Sequence, residues 1–125
     1  MNITQVAGLT GLSVDKIRYY EKIGMLPKIV RDGRGWRRFD PPTVEWLRNL
    51  ERLRATGMPM AEMRRFAVLV HTTDAIQPGV AKERLKILQG HAVRLTARLR
   101  EVKACQAFLD HKINIYSNLA KGMTC

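Results

Sequence analysis

Two clusters of residues could do chemistry in this chain. Lys16, Arg18, Tyr19 and Tyr20 fall within five positions, and Arg31, Arg34, Arg37 and Arg38 fall within eight, with Trp36 and Phe39 beside them. Ammonium and guanidinium groups at this density can neutralise phosphates or hydrogen-bond to guanine edges, and tyrosine hydroxyls donate to phosphate oxygens. A plainer reading stands beside this one: a solvated basic face, with Tyr20 and Trp36 packed in a core. Bond-making chemistry has no comparable foothold. His71, His91 and His111 are scattered, and the chain contains no HExxH, CxxC, nucleophile elbow or phosphate-cradling glycine loop. The turn Asp32–Gly33–Arg34–Gly35 precedes a strand rather than a helix, so it lacks the helix N-terminus that phosphate loops use. Cys105 and Cys125 make neither a disulfide framework nor a metal-ligand spacing, which favours a reducing cytoplasmic setting. No catalytic residue, metal ligand or cofactor is expected, and the chain is not expected to be an enzyme.

The surrounding composition points the same way. The chain has 125 residues, 22 Lys and Arg against 11 Asp and Glu, and a formal net charge of +11. Hydrophobic residues make up 46% of it, which argues against wholesale disorder. No apolar run is long enough to span a bilayer, and the start MNITQVAGLTGLS lacks the basic and apolar regions of a signal peptide. Such a charge excess favours a polyanionic partner, either nucleic acid or an acidic membrane face. A membrane-surface protein would concentrate it on one amphipathic helix. Here residues 1–65 hold 13 basic and 7 acidic side chains and residues 66–125 hold 9 and 4, so the excess is spread.

The elements that must position these residues follow from caps and breakers. Thr4 is a candidate N-cap for a short helix ending at Gly11, and Ser13 caps a second helix over Val14–Ile23, closed by Gly24 and Pro27. Two short helices joined by a glycine turn read as a helix-turn-helix, whose second helix enters the major groove. Ile29–Val30 and Trp36–Phe39 read as two strands around the turn at 32–35, a basic hairpin placed to grip flanking backbone. Asp40 caps a third helix that tolerates Pro41 and Pro42 in its first turn and carries Val44, Leu47, Leu50 and Leu53 on one face. Gly57 ends it, and Pro59 opens a fourth helix to about His71.

A long helix is expected over 80–120. Its heptad core positions hold Leu85, Leu88, Ala92, Leu95, Leu99, Val102, Gln106, Leu109, Ile113, Tyr116 and Ala120, ten of eleven apolar or aromatic. Such a stripe is too long for its own small domain to cover, so it is expected to pair with a second copy, with Gln106 as a possible register setter. The organisation is therefore 1–71 as a winged helix-turn-helix domain, 72–79 as a hinge, 80–120 as a coiled-coil dimerisation helix and 121–125 as a tail. The fold class is mainly α.

With those elements in place the sequence resembles the MerR family of bacterial transcription regulators. Ile3-Thr4-Gln5-Val6-Ala7 matches the family's opening pattern. Ile17-Arg18-Tyr19-Tyr20-Glu21, followed by Gly24, Leu26 and Pro27, matches its recognition helix, and Gly35-Trp36-Arg37-Arg38-Phe39 matches its wing. The stretch Val44–Gly57, with Arg54, is similar to its third helix, and the long helix is similar to its antiparallel dimer coil. The layout is closest to the short AdhR- and NmlR-like groups, although Arg52 stands where their reactive cysteine lies. Residues 74–80 hold no cysteine, so metal sensing is not expected. No large effector domain follows the coil, so a bulky drug sensor is not expected either.

The resemblance implies a homodimer that binds a pseudo-palindromic promoter within an over-long spacer and distorts it so that RNA polymerase engages both elements. The DNA-binding residues expected on this basis are Ser13, Lys16, Arg18, Tyr19, Arg31, Trp36, Arg37, Arg38 and Arg54. The rivals are a non-specific basic nucleoid or RNA-binding protein and a structural coiled-coil adaptor. A small-molecule effector, if one exists, is expected at the junction of the fourth helix and the coil, where Met58, Met60, Met63, Phe66 and Leu69 could line a pocket or simply form core. Cys105, at a heptad g position, is expected to be half-buried and not the sensor.

Overall fold

The computed structural model describes residues 1–71 and 77–122. The elements run α1 (Ile3–Thr10), α2 (Val14–Lys22), β1 (Val30–Arg31), β2 (Arg37–Arg38), α3 (Pro41–Ala55), α4 (Met60–His71) and α5 (Pro78–Ala120). The chain divides into two compact units, residues 1–88 and 89–125.

In the first unit, α1 begins two residues earlier than the sequence suggests. Asn2, not Thr4, caps α1: its side chain accepts from the Gln5 amide while the Gln5 side chain accepts from the Asn2 amide. That reciprocal capping box satisfies two otherwise orphaned donors, which a Thr4 cap would not. Gly11 ends α1 at φ 75°, a left-handed conformation that glycine adopts without Cβ strain. Ser13 then caps α2 as expected, accepting from Lys16 N at 3.1 Å, and Asp15 lies in the first turn. Asp40 caps α3 through Thr43 N at 2.9 Å, with both prolines in the first turn. The Thr43 hydroxyl and then the Thr43 amide hold the Asp40 carboxyl below the ordinary carboxylate range.

The core of this unit gathers Val6 from α1, Ile17 and Tyr20 from α2, Met25, Phe39, and Val44, Leu47 and Leu50 from α3, with Met63 and Ala67 from α4. Leu53, the last member of the expected α3 stripe, is only half-buried. Trp46 ties α3 to the turn after α2 by donating from Nε1 to Met25 O at 2.7 Å, and its ring meets His71 edge-on at 4.7 Å. The wing is a two-stranded antiparallel ribbon, its first strand one residue later and its second shorter than expected, with Val30 opposite Arg38 and Arg31 opposite Arg37. Phe39, just past β2, does not join the basic surface: it is buried, and its amide donates to Met1 O at 2.8 Å.

The expected hinge over 72–79 differs at its end, because Pro78 and Gly79 already belong to α5. Proline at the first helical position gives up no intrahelical bond, so the helix can begin there. Residues 72–76 lie outside the described residues, as do 123–125 of the expected tail, including Cys125. Arg84, on the first turns of α5, reaches the end of α4, where its guanidinium donates to Leu69 O at 2.8 Å and Val70 O at 3.4 Å. That bond satisfies carbonyls the helix leaves without partners.

The second unit is helix throughout its described length up to Ala120. Apart from His91, none of its described residues is buried. Leu99, Val102, Leu109, Ile113 and Tyr116 are all more than half exposed, and Cys105 is exposed rather than half-buried. Ala92 and Gln106 are exposed as well.

Candidate nucleic-acid interface

The basic residues are brought together by α1, α2 and the wing. Arg18, Arg31 and Arg37 surround a concavity of about 370 Å³, completed by Asn2, Ile3, Thr4, Gly35 and Trp36. Trp36 is 58% exposed, so its place is on this surface and not in the core. Arg34 stacks over its ring at 5.6 Å, and Arg31 donates to Gly35 O at 2.9 Å. Such an arrangement of guanidinium groups beside a helix start is suited to an anionic oxygen cluster.

Arg31, Arg37, Arg38 and Arg18 each lie against a carbonyl or an acid, and Arg34 against the Trp36 ring. Arg37 reaches from the wing to Glu21 on α2. Arg38 pairs with Asp32 at 3.3 Å, and Arg18 lies 3.7 Å from Asp15. Asp32 also accepts from the amides of Arg34 at 2.9 Å and Trp36 at 3.1 Å, so one carboxylate closes the wing turn. Those two amide bonds, first Trp36 and then Arg34, hold its carboxyl below the ordinary range.

On the other side of α2 a second cluster forms around Glu51 of α3. One oxygen, Oε1, lies 3.2 Å from Lys16 Nζ, 3.4 Å from Arg54 Nε and 3.2 Å from the Tyr20 hydroxyl, which donates to it. Tyr20 is fully buried, and burial first, then the Glu51 charge, pushes its phenol up to about 12. Its role is therefore structural, whereas Tyr19, 48% exposed, remains on the surface.

Of the expected DNA-binding residues, Arg18, Arg31, Trp36 and Arg37 converge on one concavity, and Lys16 and Arg54 converge on Glu51. Tyr19 and Arg38 are exposed near them, and Ser13 spends its hydroxyl on the α2 cap. Glu21 enters the sequence reading only as the end of the recognition-helix match, and Glu51 not at all. Their signal was an acid on the recognition helix and another on the helix behind it, within an otherwise basic region.

Of the apolar set expected to line an effector pocket, only Leu69 lines the groove between α4 and the first turns of α5, while Phe66 stacks on Trp46. Met58 and Met63 are in the core and Met60 is exposed. Beside Leu69, that groove is lined by Ala61, Arg64, Arg65, Val68, Glu83 and Ile87. Among the described residues there is no group of three His, Cys, Asp or Glu side chains placed to hold a metal ion. No helix there is long and apolar enough to cross a membrane.

Comparison with known proteins agrees with this geometry. A family model described as MerR HTH family regulatory protein matches residues 1–67. An uncharacterised HTH-type transcriptional regulator of Haemophilus influenzae is 31% identical over 106 residues, which are 85% of this chain and 76% of that one. A crystal structure of a MerR family transcriptional regulator from Listeria monocytogenes superposes with a TM-score of 0.83 at 26% identity, over 94% of this chain and 86% of the other. HiNmlR, described as a MerR family regulator lacking the sensor domain and bound to promoter DNA, superposes with a TM-score of 0.79 at 29% identity, over 98% and 94% of the two chains.

Proposed function

The chain belongs to the MerR family of helix-turn-helix transcription regulators, and from that premise we propose that it is a cytoplasmic homodimer that binds an inverted repeat in promoter DNA and distorts the spacer between the two halves. The observation that carries this reading is the convergence of Arg18, Arg31 and Arg37 with Trp36 on one concavity beside the start of α1. In a duplex complex that concavity receives a backbone phosphate, while α2 lies with its N-terminal turn toward base edges. Ser13 sets that turn, Lys16 faces the bases, and Arg18, Tyr19, Arg31, Arg37, Arg38 and Arg54 hold the flanking backbone.

Pairing of two chains supplies the two-fold symmetry. The heptad row from Leu85 to Tyr116 is the dimer seam, and the family's antiparallel arrangement places one DNA-binding domain at each end. Distortion of the spacer then changes how RNA polymerase meets its two promoter elements, with deformation energy as the controlled quantity. The distorted and relaxed states form a two-state equilibrium that a signal biases.

Selection from a pool of random duplexes tests the reading. Wild-type protein is expected to enrich an inverted repeat. Binding without enrichment of any sequence would favour the basic nucleoid or RNA-binding alternative, and a chain that binds no duplex would favour a coiled-coil adaptor.

A further inference from the structure

The cluster around Glu51 has a consequence for selectivity that rests on the DNA-binding reading above. Lys16 is the third residue of α2, in the turn that faces base edges, yet its ammonium is not free. It lies 3.2 Å from Glu51 Oε1 and 5.8 Å over the Tyr20 ring, and its side chain is only 27% exposed. Glu51 is equally shielded at 28%, and the Tyr20 hydroxyl and Arg54 hold the same oxygen in place. A half-shielded pair is screened less by salt than one on the open surface. We propose that Glu51 is a selectivity-determining residue: it draws the Lys16 ammonium away from phosphate and weakens its pull on it, while leaving the ammonium's remaining hydrogen bonds available to a base edge.

The argument turns on what an ammonium can give. Lys16 carries three N–H donors, and Glu51 occupies one direction. The others can reach the O6 and N7 acceptors that a guanine presents in the major groove. A phosphate is attracted chiefly by net charge, and at this site it meets a carboxylate next to the cation. Random DNA, held mainly by phosphate contacts, therefore gains little from Lys16. A duplex with a correctly placed acceptor gains a directed hydrogen bond from a side chain that is already oriented. Glu51 acts through Lys16, as a positioning residue.

E51Q is the direct test, because the amide oxygen still accepts from Tyr20 while the charge is lost. Two duplexes serve as probes: the sequence that wild type enriches from a random pool, and a scrambled duplex of the same composition. On the scrambled duplex E51Q is expected to bind roughly threefold or more tighter, with a salt slope steeper by about one, as for one added phosphate contact. The gain on the enriched sequence is smaller, so the ratio of the two affinities falls about threefold. In a K16M background that change in ratio is expected to vanish, whereas the field of one lost acid would persist there. K16M alone tests the same point without altering Glu51. It is expected to lower affinity for the enriched sequence by clearly more than for the scrambled duplex, so the ratio of the two affinities falls. An unchanged ratio in E51Q, a ratio change that survives in K16M, or an equal loss on both duplexes for K16M alone would each overturn the proposal. If wild type binds and enriches a sequence but one of these results appears, only the role of Glu51 fails. If wild type binds no duplex, the regulator reading fails and this one with it.

Discussion

Leu99→Asp examines whether the long helix is a dimer seam. Eight of the heptad core side chains are between 37% and 65% exposed in the single chain, Leu99 at 52%. Full burial of a side chain of this size stabilises by about 1.5–3 kcal/mol, so the half still open is worth roughly 1 kcal/mol per position. Eight positions on two chains give on the order of 16 kcal/mol, against an association cost of about 4–15 kcal/mol. A dimer at micromolar concentration is consistent with that balance. Aspartate at position 99 forfeits about 1 kcal/mol per copy and sets a carboxylate in the seam without a partner, which costs about 2 kcal/mol or more. Counted on both copies the loss is about 6 kcal/mol, or roughly four orders of magnitude in dissociation constant. Sedimentation equilibrium across the micromolar range reads this directly. Wild type is expected as a dimer and L99D as a monomer with unchanged helix content. A mutant that stays dimeric at about 10 μM would refute the seam and the arithmetic together.

Three further outcomes follow. D40A removes the α3 cap and is expected to cost about 1 kcal/mol in urea unfolding. Because the Asp40 carboxyl is held below its ordinary value, that contribution is complete above about pH 4 and is lost as pH falls through the lowered folded value, so wild type and D40A should converge in acid. Burial, with Arg84 nearby, holds the His71 imidazole below its ordinary 6.5, although Met25 O opposes the shift. The unfolded chain then takes a proton that the folded chain refuses: stability is full above about pH 6.5 and declines below it, by at most about 1.4 kcal/mol per pH unit and less for this half-exposed ring. Melting curves from pH 5 to 7.5 should show that slope in wild type and not in His71→Gln. R37A is expected to weaken binding to every duplex and to make the salt slope about one unit shallower, measured by titration at several salt concentrations. A loss confined to one sequence would assign Arg37 to base reading.

Much of the fold is legible in the sequence because it is set by local chemistry. Ser13 and Asp40 cap their helices as their types require, Gly11 takes the left-handed turn, and the prolines after Asp40 sit where a missing N–H costs nothing. The start of α1 was less legible, since Asn2 and Thr4 are both good caps and only the reciprocal bond to Gln5 decides between them. The wing shows the limit of composition: Trp36 and Phe39 are both aromatic and three residues apart, yet one faces solvent and the other is buried. The partners of the basic residues were hidden for a different reason. Glu21 and Arg37 are 16 positions apart, and Glu51 lies on α3 while Lys16 lies on α2, so their meeting depends on how helices and wing pack rather than on any local pattern. Arg84 fits the heptad frame as a flanking cation, but the open carbonyls at the end of α4 claim it.

The claim that two copies read two half-sites is tested most directly by the dependence of affinity on half-site spacing. Duplexes carrying the enriched repeat would be lengthened and shortened one base pair at a time and titrated with wild-type protein, with stoichiometry measured at saturation. Rigid pairing through the long helix predicts one sharp optimum at two chains per duplex, with affinity falling steeply within a few base pairs, because each added pair rotates one half-site away from its domain. Affinity that is flat across spacings, or saturation at one chain per half-site without coupling, would contradict it.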